Sequence, residues 1–144
     1  MRKLIVVCLI ALSCFNAAGQ SFKIKEHLPS LISFFAAGAF EGTMDHLQFH
    51  YDGNHQFWQP DISWKNKYKN RDPQQGLTFA GRYFVTATDG WHLMKGGKNM
   101  STVVALVFHP FRKGQKWYYY VVETASYWAA NKAGFHLTYN LILK

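Results

Sequence analysis

Apolar and polar positions alternate in four long stretches, and each predicts a different element. An apolar run, Leu4 to Leu12, follows Arg2 and Lys3. A second apolar stretch begins at Pro29, a residue suited to the first turn of a helix, and extends to Phe49. At 100° per residue, Gly38, Gly42, Glu41 and Asp45 share one broad helical face there, with His46 and His50 in a neighbouring sector. Asp52-Gly53-Asn54, Pro60 and Asp72-Pro73 then break the pattern, predicting a long loop from Asp52 to Gly76 with a short helix near Ile62 to Tyr68. A loop of that length is either functional or loosely ordered.

Beyond the loop the pattern reads two ways. Leu77 to Lys95 is apolar again, its second half is predicted helical, and Gly96-Gly97 predicts a stop. Ser101 to Phe108 is β-branched and continuous, and FRKGQK could close a hairpin to Trp117–Val122. Phe135, Leu137, Tyr139 and Leu141 alternate with polar residues as in a strand. Propensity alone therefore predicts strands in the last third.

The first stretch is a targeting segment. Its basic start, apolar centre and small residues at Ala17 and Gly19 predict a secretory signal over residues 1–19, cut before Gln20. The alternatives are a retained membrane anchor or lipidation at Cys14. Cys8 and Cys14 are the only cysteines, so a cleaved chain holds no thiol and can form neither a disulfide nor a thiolate metal site. Residues 20–144 form one small domain, large enough for a core. Loss of Arg2 and Lys3 lowers the formal charge from +8 to +6. A basic exported protein favours membranes and anionic lipid headgroups as partners over nucleic acid. Aromatic residues make up 17% of the chain, which suits a boundary between apolar matter and water.

Candidate chemistry lies where ionisable groups interrupt apolar sequence, because such groups are costly unless paired, ion-bound or hydrated. His46 and His50 stand one helical turn apart, a spacing that lets two imidazoles reach one ion. Leu47 and Gln48 fill the inner positions, so the segment is not the HExxH of zinc proteases. Asp89 and His92 reproduce the carboxylate-x-x-His element of di-metal bundles, with Asp in place of Glu. With Glu41 and Asp45 they make a candidate site for a divalent transition metal: zinc, iron or manganese. If it is catalytic, metal-activated hydrolysis or redox chemistry is the natural class. The competing reading is a structural polar network in which Asp89 pairs with Arg82 or caps a helix beginning at Gly90. His109 and His136 read as structural, with His136 able to join the site if the last segment is helical.

Trp64, Lys65, Lys67, Tyr68, Lys69 and Arg71 interleave basic and aromatic side chains, a pattern that suits a membrane surface or another anionic ligand. Phosphate-cradling glycine loops, Gly-x-Ser-x-Gly elbows and EF-hand spacings are absent from the sequence.

The phrases SWKNKYKNRDPQQG and TDGWHLMK, preceded by EGTMDHLQFHY, resemble an uncharacterised bacterial family of small membrane-associated proteins. The similarity runs from about Phe34 to Lys95 and more loosely through WAANKAGFHLTYNLIL. It implies apolar helices close to or within a membrane and transfers no activity. The expected fold is therefore mainly α, a small helical bundle, exported or membrane-associated. The alternative is α+β with a C-terminal antiparallel sheet over residues 99–143. The expected function is that of a cell-envelope protein with a mainly structural His/Asp/Glu cluster; metal binding and membrane-surface binding are the alternatives.

Overall fold

The structure, a computed structural model, describes residues 23–143. The signal, anchor and lipidation expectations for residues 1–19 lie outside them. Five α-helices occur in the described chain: α1 (Ile24–Phe49), α2 (Pro60–Ser63), α3 (Phe79–Tyr83), α4 (Gly90–Val107) and α5 (Trp117–Leu137). A π-helical turn, Thr138–Ile142, extends α5. The fold is mainly helical, and α4 and α5 both pack on α1.

Glycine sets the distance between α1 and α5. A Cβ at Gly38 would lie 1.8 Å from the Asn131 carbonyl oxygen, and one at Gly134 would lie 2.0 Å from that of Phe35. Backbones meet here, so any side chain would force the helices apart. Across the seam Asn131 Nδ2 donates to Phe34 O at 3.3 Å and Thr138 Oγ1 to Ala39 O at 3.1 Å. The glycine spacing thus serves helix approach, as expected, but the helix begins at Ile24 rather than at Pro29. Pro29 is only its sixth residue, where the missing N–H costs one bond near the helix end.

The C-terminal sheet does not form. Among the described residues the one β-pairing is an isolated bridge between Tyr68 and Leu77. Helix occupies the runs that propensity assigns to strands: Ser101 to Val107 in α4, Trp117 to Val122 in α5, and Phe135 to Leu141 in the end of α5 and its π-helical turn. The helical register there is carried by small and polar residues. Glu123, Tyr127 and Gly134, at helical spacing, are the buried positions of α5, and Ala105 is fully buried on α4. The β-branched residues Val103, Val104 and Val107 point outwards. Helix packing on α1 overrides an intrinsic preference that presumes a pleated, half-buried surface.

Gly96-Gly97 does not stop α4 either. A Cβ at Gly96 would lie 2.6 Å from Thr86 Cγ2, and one at Gly97 would lie 2.8 Å from the Phe40 ring. These glycines admit neighbours to the helix, which continues for ten more residues.

Local bonds order the segment between α1 and α4. Asn66 Nδ2 donates to Gln56 O at 3.0 Å and to Thr88 O at 3.1 Å. Lys67 O accepts both the backbone N–H and the hydroxyl of Thr78, at 2.9 and 3.1 Å. The helix expected near Ile62 to Tyr68 is α2 followed by a 3₁₀ turn, Trp64–Lys67. No helix among the described residues is long and apolar enough to cross a membrane.

Candidate functional site

Two buried carboxylates hold the two polar centres of the bundle. The first, Asp89, is 2% exposed. Its Oδ1 accepts the backbone N–H of His92 at 2.9 Å, which caps α4. Its Oδ2 lies 2.7 Å from His92 Nδ1 and 3.1 Å from the Thr88 hydroxyl, whose proton is shared with Val85 O at 2.7 Å. Gly90 N–H donates to Phe57 O at 2.8 Å, and a Cβ at Gly90 would meet the Trp58 ring at 2.2 Å. Asp89 therefore caps the helix that begins at Gly90, one of the two structural roles expected for it. A hollow of about 350 Å³ beside it is lined by Gln48, Trp64, Asp89 and His92 among others.

The remaining members of the expected metal cluster find separate partners. Glu41 pairs with Lys98 Nζ at 2.7 Å. Asp45 is half-buried on α1. His50 Nε2 lies 2.6 Å from the Tyr139 hydroxyl, and the His46 ring packs 5.9 Å from that of His50. His136 pairs with Asn140 on the exposed end of α5. Of the six, only Asp89 with His92 and His46 with His50 are brought together as pairs. Among the described residues no group of three or more His, Cys, Asp or Glu side chains could hold a metal ion. Sequence spacing placed pairs on one turn, and packing directed each pair to a different neighbour.

The second centre was not anticipated. Glu123, on α5, is 4% exposed. Its Oε1 accepts Gln115 Nε2 at 2.7 Å and stands 3.6 Å from His27 Nε2. Its Oε2 stands 3.5 Å from His109 Nε2 and holds no hydrogen bond. His27, 1% exposed near the start of α1, shares a 2.7 Å hydrogen bond between its Nδ1 and the Tyr127 hydroxyl. Ser30, one turn further along α1, donates to Ala105 O at 2.8 Å. Arg112 pairs with Glu26 and ties the α4–α5 connection to the start of α1.

Burial shifts two of these groups. It pushes the His27 imidazole below its ordinary value, against the raising effect of Glu123 and with His109 and Arg112 adding to the fall. It raises the Tyr127 phenol to about 12, with the Glu123 charge acting in the same direction. At neutral pH His27 is thus chiefly an uncharged hydrogen-bonding partner.

A cleft of about 570 Å³ adjoins this centre, lined by Glu123 and His109 and by the rings of Phe34, Phe111, Tyr120, Tyr127 and Trp128. A signal for it existed in the sequence. Glu123 is the one acidic residue between Trp117 and Lys144. The reasoning that singled out Phe34 to Tyr51 applies equally there, once the segment is taken as a helix with Tyr127 one turn away.

The basic-aromatic loop keeps its pairs. Lys65 Nζ lies 5.8 Å from the Trp64 ring centre and Lys67 Nζ 5.4 Å from that of Tyr68. Lys69 and Arg71 are exposed, and Arg71 donates to the Gln56 side chain.

Comparison with protein-family models, curated proteins and solved structures finds no match to this chain.

Proposed function

We propose that this chain is a cell-envelope protein that seats an apolar exterior against a lipid surface, with its polar clusters serving chiefly to hold the helices together. One observation carries the reading: much of the helix interior is small or polar. His27, Ser30, Gly38, Gly42, Ala105, Glu123 and Gly134 point inward beside Met44, Leu47 and Tyr127, whereas many large apolar residues face out. Val107 is 70% exposed, Phe111 83%, Trp117 74% and Trp128 64%. In water so much exposed apolar surface favours association. Against acyl chains it costs little, and small or polar helix contacts are what hold helices together there.

The Trp64–Arg71 loop fits the same setting. Its rings and lysine stems suit the depth of the headgroups while the ammonium groups reach anionic lipid. A transition-metal function has no comparable observation in its favour.

The test is flotation of the full-length protein with vesicles of phosphatidylcholine alone or with about one-third phosphatidylglycerol. Association with both is expected, tighter with the anionic lipid. Replacing Lys65, Lys67 and Lys69 together by alanine should weaken the anionic preference about tenfold or more at low salt, and less at high salt. A protein that stays in solution with both vesicle types would refute the reading.

A further inference from the structure

We propose that the cleft between α1, α4 and α5 is a binding site for an amphiphilic organic cation, whose N–H-bearing ammonium head pairs with Glu123 and whose apolar body lies among the aromatic walls. The cleft shares Phe111 and Trp128 with the outward surface argued above, but its polar end at Glu123 is a different feature and does not depend on what covers that surface.

The polar end of the cleft calls for a donor. Glu123 Oε2 and His109 Nδ1 are both buried without a hydrogen-bond partner, and both residues line the cleft. Buried polar atoms in native structures almost always find partners, so two exceptions on residues lining one cleft mark a place for a ligand. The Glu123 side chain is only 5% exposed. His109 turns its Nε2 towards Glu123 Oε2 at 3.5 Å, too far for a good hydrogen bond. The carboxylate oxygen is an acceptor. An ammonium supplies up to three N–H donors and a positive charge; a carboxylate or phosphate head supplies neither.

Charge points the same way. His27 is the other imidazole beside Glu123, and its position deep in the bundle favours its uncharged form. Gln115 is the group hydrogen-bonded to the carboxylate, and it is neutral. With His109 Nε2 as far as 3.5 Å away, this buried carboxylate gains from a cation that can hydrogen-bond to its unbonded oxygen.

The walls set the rest of the ligand. Phe34, Phe111, Tyr120, Tyr127 and Trp128 present ring faces and edges around the space, a lining that attracts both alkyl chains and cations. About 570 Å³ admits a head and a chain of several carbons. Phe111 and Trp128 are largely exposed and form the rim; Tyr127 is buried and forms the floor.

The experiment is calorimetric titration of the full-length protein with octylammonium, octanol, octanoate and tetramethylammonium. Octylammonium should bind at least about tenfold more tightly than octanol, as a charge-assisted hydrogen bond requires. Octanoate should bind weakest of the three chains. Tetramethylammonium, which has the charge but no N–H and no chain, should bind far more weakly than octylammonium. Glu123→Gln should remove the preference for octylammonium over octanol. Trp128→Ala, a change at a mostly exposed rim position that leaves the fold intact, should weaken octylammonium roughly threefold. Equal binding of octylammonium and octanol by the native protein would overturn the proposal, as would tighter binding of octanoate or no octylammonium binding at all. Retention of the full preference in a folded Glu123→Gln protein would also overturn it. So would identical octylammonium binding by native protein and Trp128→Ala.

Discussion

Asp89 and Glu123 are buried to nearly the same degree, yet they sit in opposite circumstances. Asp89 has both oxygens bonded, and its partners Thr88 and His92 lie within three residues of it. Glu123 draws its neighbours from three separate places, His27 at the start of α1, His109 after α4 and Gln115 before α5, and one of its oxygens remains without a bond. Local satisfaction marks a structural carboxylate, whose work is to start a helix. Incomplete satisfaction by distant residues marks a carboxylate whose energetics await something else. Burial alone would not have separated them.

The comparison breaks most sharply at Asp89. Asp89→Ala removes a helix cap and takes the carboxylate partner from the half-buried His92, while Thr88 keeps its bond to Val85 O. Denaturant unfolding should register a loss of about 2 kcal/mol, that of a strong cap together with one side-chain hydrogen bond. A loss below about 1 kcal/mol would show that the local bonds do not hold this end of the bundle.

A pH titration sharpens the other side. The folded His27 pKa is depressed, so the unfolded chain binds the proton more readily. Stability contributed by neutral His27 is therefore complete above the ordinary imidazole range and is lost as the pH falls through the depressed folded value. Glu123, Glu26, His109, Arg112 and Tyr127 all face or influence this ring. Thermal unfolding of the native protein should drop in midpoint from pH 7 towards pH 5 more steeply than that of His27→Gln. Parallel curves would remove His27 from the account.

The smallest effect belongs to Glu123→Gln. Its amide can still accept from Gln115, and the change relieves a buried charge. Stability should change by less than about 1 kcal/mol in either direction, in contrast to Asp89→Ala. A loss as large as that at Asp89 would make Glu123 a structural residue of the same kind.

Much of the helical architecture was legible along the chain. At Asp89 a short acidic side chain before Gly90 sufficed, because a cap depends on residues no more than three positions away. The apolar run ending at Phe49 and its Gly38–Gly42 groove were legible for a similar reason, since a helix repeats its faces over short spacings. The expected mainly helical fold is the one observed, but propensity by itself misread the last third, because pattern arguments look for an apolar face turned inward. In α4 and α5 the inward face is alanine, glycine, glutamate and tyrosine, so Val103, Val104 and Val107 read as strand although they are the outside of a helix. Gly96-Gly97 was misread for want of its neighbours, Thr86 and Phe40.

Chemistry confined to one turn of chain, such as the Asp89 cap and the His46–His50 pair, is encoded by spacing and needs nothing more to be recognised. The meeting of His27, His109 and Glu123 is of another kind. Contacts across 96 and 14 positions exist only because Gly38 and Gly134 let α1 and α5 touch backbone to backbone, and because the connection after α4 folds back to the start of α1. No local periodicity records such a meeting; it is a property of how closely helices can approach.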